Sequence, residues 1–230
     1  MPPTGEYADA AFFRDAIERG DGPALELGCG NGRLLLRYAR AGLSVEGIDS
    51  SADMLAMCAA HARGAGIDVR LYQADWLTLT LSARYATIYN PSSSFRLIDG
   101  DAHARAALAA WAGHLRGGGR LLVSMSVPAE AELAANWEWR LRRTGTRARD
   151  GVTFVVHEAA CCDPDTQTQH DLHRHEVWAA DGTLVTTYMR RHKLRWWTRS
   201  QLEELLRAAG LVDVHSTGNE REFVTEGAAA

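Results

Sequence analysis

Residues 24–40, ALELGCGNGRLLLRYAR, carry the clearest indication of the fold class. A short apolar run ends in three closely spaced glycines, Gly28, Gly30 and Gly32, and apolar residues at helical spacing follow over residues 33–40. Glycines in such a turn let the backbone pass close to a ligand, and the start of a helix offers free N–H donors. The stretch therefore predicts a strand, a ligand-facing turn and a helix in direct succession.

The same alternation continues to about residue 127. Short apolar runs predict strands at residues 24–28, 44–48, 69–73, 86–90 and 120–127. Helical periodicity between them predicts helices at residues 33–40, 51–63 and 102–116. Strands and helices in strict alternation imply crossover connections and a parallel, doubly wound sheet.

After Pro128 the pattern changes to β-rich segments without helices between them. These segments lie at residues 137–141, 152–160, 170–179 and 184–196. Asp181-Gly182 separates the last two and predicts a two-residue hairpin with a type I′ turn, in which both central residues have positive φ. This region is predicted to be an antiparallel insert.

The α/β alternation then resumes near the end of the chain. Thr198 and Gln201 form a capping-box pattern before an amphipathic helix, and Gly210 is its expected end. Further strands are predicted at residues 211–216 and 222–225. The predicted fold class is α/β: a Rossmann-like, mostly parallel seven-stranded sheet with an antiparallel β insert after the fifth strand.

Composition places the chain among ordinary globular proteins. It has 230 residues, 46% of them hydrophobic, and a net charge of −4. No apolar run is long enough to span a bilayer, and MPPTGEYAD does not resemble a signal peptide, so we expect a cytoplasmic protein without a membrane partner. The negative charge disfavours a general nucleic-acid partner. The four cysteines are expected to be reduced.

The glycine spacing separates two classes of nucleotide-binding turn. It is G-x-G-x-G, whereas a dinucleotide site has G-x-G-x-x-G. Glu26 precedes the turn, and Asp49 closes the second predicted strand. A carboxylate at that strand end can accept hydrogen bonds from ribose hydroxyls.

The chain resembles the class I S-adenosylmethionine (SAM)-dependent methyltransferases over nearly its whole length. ALELGCGNGRLLLRYARAG resembles their first motif, VEGIDSSADML their second, and QADWL their adenine-binding segment. The resemblance implies that Gly28, Gly30 and Gly32 line the methionine end of SAM and that Asp49 binds the ribose. It also implies contacts with the cofactor from Tyr7, Glu26, Cys29, Arg33, Ser50, Met54, Asp75, Trp76 and Asn90.

Three of these residues have defined roles by resemblance. Asp75 would accept the adenine amino group, Trp76 would flank the adenine ring, and Arg33 would face the carboxylate of SAM. The expected cofactor is SAM and the expected product is S-adenosylhomocysteine. Tyr7 and Phe12 are the residues that could belong to an N-terminal lid segment.

Within that class the chain is similar to small-molecule methyltransferases, several of which act on amino groups of nucleotide-linked sugars. YNPSSSF, residues 89–95, matches the end of their fourth strand, but Ser93 stands where asparagine is common and Ala86 replaces a common aspartate. Their late β insert covers the pocket, so we expect one domain over residues 1–230 with an insert at about 135–197 covering the substrate site.

Four residues are candidates for contact with the substrate. They are Ser93, Phe95, Trp139 and Arg140. Arg140 and Arg142 share a face of a strand and could clamp an anionic group, although solvated arginines at a sheet edge are more common. The expected reaction is methyl transfer to nitrogen or oxygen of a small molecule, and a homodimer is one possible assembly.

The sequence does not decide which residues are catalytic. The candidates for a general base are His103, His170, His173, His175 and His192, and Tyr89 is a further catalytic candidate. His173 and His175 would point the same way on a strand. No third metal ligand stands at a definite spacing, so no metal is predicted.

Three alternatives to a small-molecule methyltransferase remain. A SAM-binding protein without methyl transfer is compatible with the departures at Ser93 and Ala86. A nicotinamide-dependent oxidoreductase would share the sheet but not the glycine spacing. Asn90-Pro91 resembles the start of a nucleobase-methyltransferase motif, but the serines that follow depart from it.

Overall fold

The structure is a computed structural model that describes residues 8–133 and 136–230. Tyr7, a predicted cofactor residue, lies outside the described residues. The chain divides into two compact units. The described part of the core unit comprises residues 8–95, 100–126 and 197–230, and that of the insert unit comprises residues 96–99, 127–133 and 136–196.

The core unit is built on a seven-stranded sheet with the order β10-β11-β5-β4-β1-β2-β3. Its strands are β1 (Ala24–Leu27), β2 (Val45–Asp49), β3 (Arg70–Gln73), β4 (Tyr85–Asn90), β5 (Leu115–Ser126), β10 (Leu211–Gly218) and β11 (Glu222–Ala229). Only β11 runs against its neighbours β5 and β10, and the other neighbouring pairs are parallel. The predicted fold class is confirmed.

Five helices accompany this sheet in the described core unit. They are α1 (Ala8–Arg19), α2 (Leu35–Arg40), α3 (Ala52–Gly64), α4 (Gly100–Ala112) and α6 (Arg199–Ala208). Helix α1 was not predicted. The predicted helix at residues 102–116 was too long, because Leu115 and Arg116 already belong to β5. Phe13 of α1 is fully buried against Tyr89 of β4, with ring centroids 5.4 Å apart.

The capping-box prediction for α6 is confirmed. The Thr198 hydroxyl accepts a hydrogen bond from the Gln201 backbone N–H, and the Gln201 side chain accepts one from the Thr198 backbone N–H. Two orphan donors at the helix start are thus satisfied. Gly210 follows the helix with a φ of 88°, the left-handed conformation expected at its end.

The insert unit carries a four-stranded antiparallel sheet with the order β6-β7-β8-β9. Its strands are β6 (Arg140–Thr146), β7 (Thr153–Asp163), β8 (Thr168–Trp178) and β9 (Leu184–Arg195), preceded by the short helix α5 (Glu130–Leu133). The predicted antiparallel insert is confirmed. The β8–β9 hairpin forms, but the predicted type I′ turn is wrong, because Gly182 has positive φ and Asp181 does not.

A local hydrogen bond accounts for a hairpin loop longer than the two residues predicted. The Asp181 carboxylate accepts a hydrogen bond from the Thr183 N–H at 2.9 Å, which stabilises Asp181 without positive φ, and Gly182 alone adopts the left-handed conformation.

Among the described helices, none is long and apolar enough to cross a membrane.

Candidate functional site

The glycine turn lies between β1 and α2, as predicted. Gly28, Gly30 and Gly32 have φ values of 74°, 54° and 88°, which favour glycine over any side chain. The α-helix itself starts at Leu35, two residues later than predicted. The backbone of the glycine turn therefore lies at the carboxyl edge of the sheet, because α2 begins only after the turn.

The three glycines are required for different reasons. A Cβ on Gly28 would lie 2.7 Å from the Trp76 ring, and a Cβ on Gly32 would lie 2.6 Å from the Cys58 sulfur. A Cβ on Gly30 would meet nothing within 4 Å among the described residues. Gly28 and Gly32 are thus needed for packing, whereas the backbone at Gly30 borders open space that can receive a ligand.

Asp49 closes the glycine turn from the neighbouring strand. Its Oδ2 accepts a hydrogen bond from the Gly30 N–H and its Oδ1 accepts one from the Ser51 N–H, both at 2.9 Å. Strands β1 and β2 are hydrogen-bonded in parallel, so both carboxyl ends meet at this edge. Ser50 is exposed beside Asp49, and Met54 is 40% exposed on the first turn of α3.

Asp75 and Trp76 follow β3 at the same edge of the sheet. Asp75 is exposed, and its Oδ1 accepts a hydrogen bond from the Leu77 N–H at 2.7 Å. The half-buried Trp76 ring contacts the turn at Gly28 and packs edge-on against Trp111, with centroids 6.0 Å apart. The structure thus brings the predicted adenine-binding segment and the glycine turn together.

Glu26 and Tyr89 form a buried pair beneath the turn. The Tyr89 hydroxyl donates to Glu26 Oε2 at 2.9 Å, and the Tyr89 side chain is fully buried. Burial, reinforced by the Glu26 charge, raises the pKa of Tyr89 well above its ordinary value. A phenol held protonated in the core is suited to positioning Glu26 and poorly suited to taking a proton from a substrate.

Cys29 is also a buried residue of the turn. A hydrogen bond with Cys58 and burial raise the pKa of the Cys29 thiol. All four cysteines are free thiols, in agreement with the prediction. Cys29 therefore packs the turn from below as a neutral thiol.

The loop after β4 is the most constrained segment at this edge. Ser92 and Ser93 have φ values of 61° and 53°, which are unfavourable for residues with a side chain. The Ser93 N–H donates to Ser124 Oγ at 2.8 Å, and that hydroxyl donates to the Asn90 carbonyl at 3.1 Å. Ser124 of β5 was missed by the sequence analysis, because it approaches the loop only through pairing of β4 with β5.

Asn90 projects into the core unit beneath this loop. Its Nδ2 donates to the Leu27 carbonyl at 3.1 Å and to Ser94 Oγ at 3.0 Å. Its Oδ1 is buried and lacks a hydrogen-bond partner among the described residues. A buried acceptor without a donor costs free energy, so this atom is suited to an incoming amino or hydroxyl group.

Two other predicted residues at this edge have clear placements. Arg33 donates from Nη2 to the Ser92 hydroxyl, which links the glycine turn to the constrained loop. Phe95 is fully buried and packs against Trp111 and Trp197, with centroids 5.6 and 4.9 Å away. Its placement favours a core role over contact with a substrate.

Trp139 and Arg140 lie in the insert unit and line a cavity of about 240 Å³ there. The other lining residues are Glu132, Glu138, Ala160 and Gln169. Arg140 Nη2 lies 3.7 Å from carboxylate oxygens of both Glu132 and Glu158. Arg142 also contacts Glu158, at 2.5 Å, so the two arginines share a face as expected.

The candidate histidines lie on two faces of the insert sheet. His173 and His175 lie on one face, with ring centroids 6.0 Å apart, as predicted. His170 lies on the opposite face, paired across strands with Cys161. Burial lowers the pKa of His173 and of His175 below the usual value, which favours neutral imidazoles.

Much of the core unit matches a known protein family. Residues 24–119, which contain the glycine turn, Asp49, Asp75 and Asn90, match the family described as a methyltransferase domain. This match confirms the resemblance to class I SAM-dependent methyltransferases. A curated relative, the dTDP-3-amino-3,6-dideoxy-alpha-D-glucopyranose N,N-dimethyltransferase of Streptomyces fradiae, is 29% identical over 189 residues, covering 81% of this chain and 69% of the relative.

Solved structures share the methyltransferase fold. The CcbJ methyltransferase from Streptomyces caelestis has a TM-score of 0.79 at 23% identity, with 98% of this chain and 92% of that chain covered. The SAM-bound CalS10 amino pentose methyltransferase from Micromonospora echinaspora has a TM-score of 0.75 at 22% identity, with 99% and 93% covered. At these identities the likeness establishes the fold.

Proposed function

We propose that this protein transfers a methyl group from SAM to the amino group of a nucleotide-linked amino sugar. The relative from Streptomyces fradiae, named for methylation of such an amine, supports the substrate class. The geometry that carries the cofactor assignment is the Asp49 carboxylate bound to the Gly30 N–H at 2.9 Å. Further predictions are a homodimer and a cytoplasmic location.

The described residues fit a SAM molecule. The open space at Gly30 can accept the cofactor close to the backbone, because no described atom would contact a Cβ there. Asp49 uses one lone pair of each oxygen for a backbone N–H and keeps others for ribose hydroxyls. Asn90 Oδ1 offers a buried acceptor to an amino group.

The remaining cofactor and substrate residues are assigned from their position at the same carboxyl edge of the core sheet. Asp75, exposed after β3, would accept from the adenine amino group, and Trp76 would flank the ring. Arg33, hydrogen-bonded to Ser92, would face the carboxylate of SAM. Ser93 is the substrate-side candidate of the core unit, and its backbone is fixed by Ser124.

When bound, SAM supplies a methyl group already activated on a sulfonium. The protein then has to hold the reacting amine in line with that methyl group and to exclude water. The loop at Ser92 and Ser93, held by the hydrogen bond to Ser124, suits this task, because a preorganised backbone loses less entropy when substrate binds. A neutral amine needs no general base, and the proton is lost after transfer.

Calorimetric titration with S-adenosylhomocysteine tests the cofactor assignment. We expect saturable binding that falls by about tenfold to hundredfold in Asp49→Ala, roughly 1.4–2.8 kcal/mol. Asp53→Ala is the matched control, because Asp53 is an exposed carboxylate four residues later on α3. We expect it to bind like the wild type.

Two results would contradict the assignment. One is a wild-type protein that does not bind S-adenosylhomocysteine, and the other is an equal loss in the Asp49 and Asp53 variants. Binding of NADH monitored by its fluorescence would instead support the oxidoreductase alternative.

Turnover with a dTDP-linked amino sugar and SAM tests the substrate assignment separately. We expect mono- and dimethylated amines by mass spectrometry. Cofactor binding without turnover on this or other small amines would favour a SAM-binding protein without methyl transfer, the alternative raised by Ser93 and Ala86.

A further inference from the structure

Two histidines and an aspartate converge on one face of the insert sheet. Asp171 and His173 lie two residues apart on β8, and therefore on the same face. His192 of β9 is the cross-strand partner of Asp171. One ligand atom from each of the three side chains lies within 4.8 Å of the other two.

The cluster is partly shielded from solvent, with Asp171 buried and both histidines half-buried, and one of its polar atoms lacks a partner among the described residues. Asp171 is only 4% exposed, although it is a carboxylate. His173 Nε2 is buried and has no hydrogen-bond partner among the described residues. The His173 and His192 rings meet edge to face, with centroids 4.9 Å apart. A buried imidazole nitrogen without a donor or acceptor partner is costly unless a ligand completes it.

The Asp171 carboxylate is held in place by neighbouring side chains. Gln169 Nε2 donates to Asp171 Oδ1 at 2.7 Å, and Arg96 Nη2 donates to Gln169 Oε1 at 2.6 Å. Outer residues that orient a carboxylate in this way are typical of metal centres, where they fix the lone pair offered to the ion. The arrangement leaves the second carboxylate oxygen for coordination.

A second buried carboxylate, Glu158, lies beside the cluster and is bound by arginines. Glu158, the cross-strand partner of His173 on β7, is 3% exposed and is bound by Arg142 at 2.5 Å. Arg140 lies 3.7 Å from the same carboxylate. Glu158 is thereby bound to arginines, and the donor set of the cluster is two imidazoles and one carboxylate.

We infer that Asp171, His173 and His192 bind a divalent transition-metal ion, with Zn²⁺ as the preferred occupant. Two imidazoles and one carboxylate are a recurring three-residue ligand set for Zn²⁺ and Fe²⁺, with water in the open position. Mg²⁺ and Ca²⁺ prefer oxygen ligands and are disfavoured by the two nitrogens. This inference does not depend on the proposed methyl transfer.

Calorimetry on chelator-treated protein tests the inference with Zn²⁺ itself as the probe. We expect one Zn²⁺ per chain in the wild type and a loss of affinity of about tenfold or more in His192→Ala. Co²⁺ should give visible absorption bands that disappear in the same variant. Mg²⁺ should not compete.

His170→Ala is the matched control. His170 lies on β8 like His173 but on the opposite face, beside Cys161, where a thiol and an imidazole could bind Zn²⁺ adventitiously. We expect the wild-type affinity in this variant. Loss in His170→Ala with retention in His192→Ala would overturn the inference, as would a wild-type chain that binds no Zn²⁺.

A second variant separates ligation from folding. Gln169→Leu removes the donor that orients Asp171 but no ligand, and we expect Zn²⁺ affinity to fall by about tenfold. Far-UV circular dichroism on every variant reports whether the strands of the insert unit are intact, and titration with S-adenosylhomocysteine reports the same for the core unit. A wild-type protein that does not bind S-adenosylhomocysteine would contradict the proposed function and would leave the Zn²⁺ binding result unaffected.

Discussion

The two candidate sites are built in different ways. The glycine turn of the core unit is contiguous in sequence, and it is held mainly by backbone groups, such as the Gly30 N–H on Asp49. The cluster of the insert unit joins residues about twenty positions apart through the β8–β9 pairing, and it is held by side chains. A backbone site is sensitive to steric change, whereas a side-chain site is sensitive to loss of individual polar atoms.

The largest effect should come from adding one methyl group to the glycine turn. In Gly32→Ala, the Cβ would lie 2.6 Å from the Cys58 sulfur at a φ of 88°, so we expect a loss of about 3 kcal/mol or more in the free energy of unfolding. Gly145→Ala in the insert unit, where a Cβ meets nothing within 4 Å, should change it by less than about 1 kcal/mol. Urea denaturation measures both. Equal losses would contradict the steric explanation.

A smaller effect should follow from removing one buried hydroxyl. Tyr89→Phe leaves the buried Glu26 carboxylate without the donor at 2.9 Å, and we expect a loss of about 2 kcal/mol. Tyr188→Phe in the insert unit is the control, because Tyr188 is 44% exposed and its hydroxyl can be solvated. The difference between the two urea midpoints is the measurement, and a Tyr89 variant as stable as the Tyr188 variant would show that Glu26 does not need this hydrogen bond.

The smallest effect should be a pH dependence of the insert unit in metal-free protein. Burial lowers the pKa of His173 from its ordinary 6.5, Glu158 and Asp171 oppose this shift, and His192 and Arg142 reinforce it. Below about pH 6.5 the unfolded chain therefore binds more protons than the folded protein. The stabilisation is fully present above that pH, and it decreases as the pH falls toward the pKa of His173 in the folded protein.

Thermal unfolding at several pH values measures this dependence. His173→Gln should show a shallower decrease in the unfolding midpoint between about pH 7 and pH 5.5 than the wild type. Identical profiles would show that the His173 imidazole is equally easy to protonate in the folded and unfolded protein.

Local patterns predicted most of the core unit. The glycine turn, the capping box of Thr198 and the stop at Gly210 were predicted because each depends on neighbouring residues. The end of α4 was misjudged because Leu115 and Arg116 are compatible with either a helix or a strand, and pairing with β4 decides the strand. Helix α1 was missed although Phe13 anchors it, because its apolar contacts lie on β4.

The chemistry of single side chains was harder to predict than the fold. Tyr89 and Phe95 were predicted to be at the site by their place in the motif, yet both are fully buried in the core. For Tyr89, alternation along β4 cannot reveal this, because every residue of that strand is buried. Ser124 and Asp171 carried no distinctive sequence signal, since Ser124 contacts the loop after β4 and Asp171 meets His192 of β9.

The α/β alternation, the G-x-G-x-G turn and the acidic residue that closes it can be recognised from the sequence, because they follow from residue spacing and backbone conformation. Which side chains meet depends on how the segments pack in three dimensions. Strand pairing fixed Ser93 on Ser124 and brought His192 to Asp171 and His173. Such contacts join segments far apart in the chain, and their geometry depends on register, which spacing within one segment does not specify.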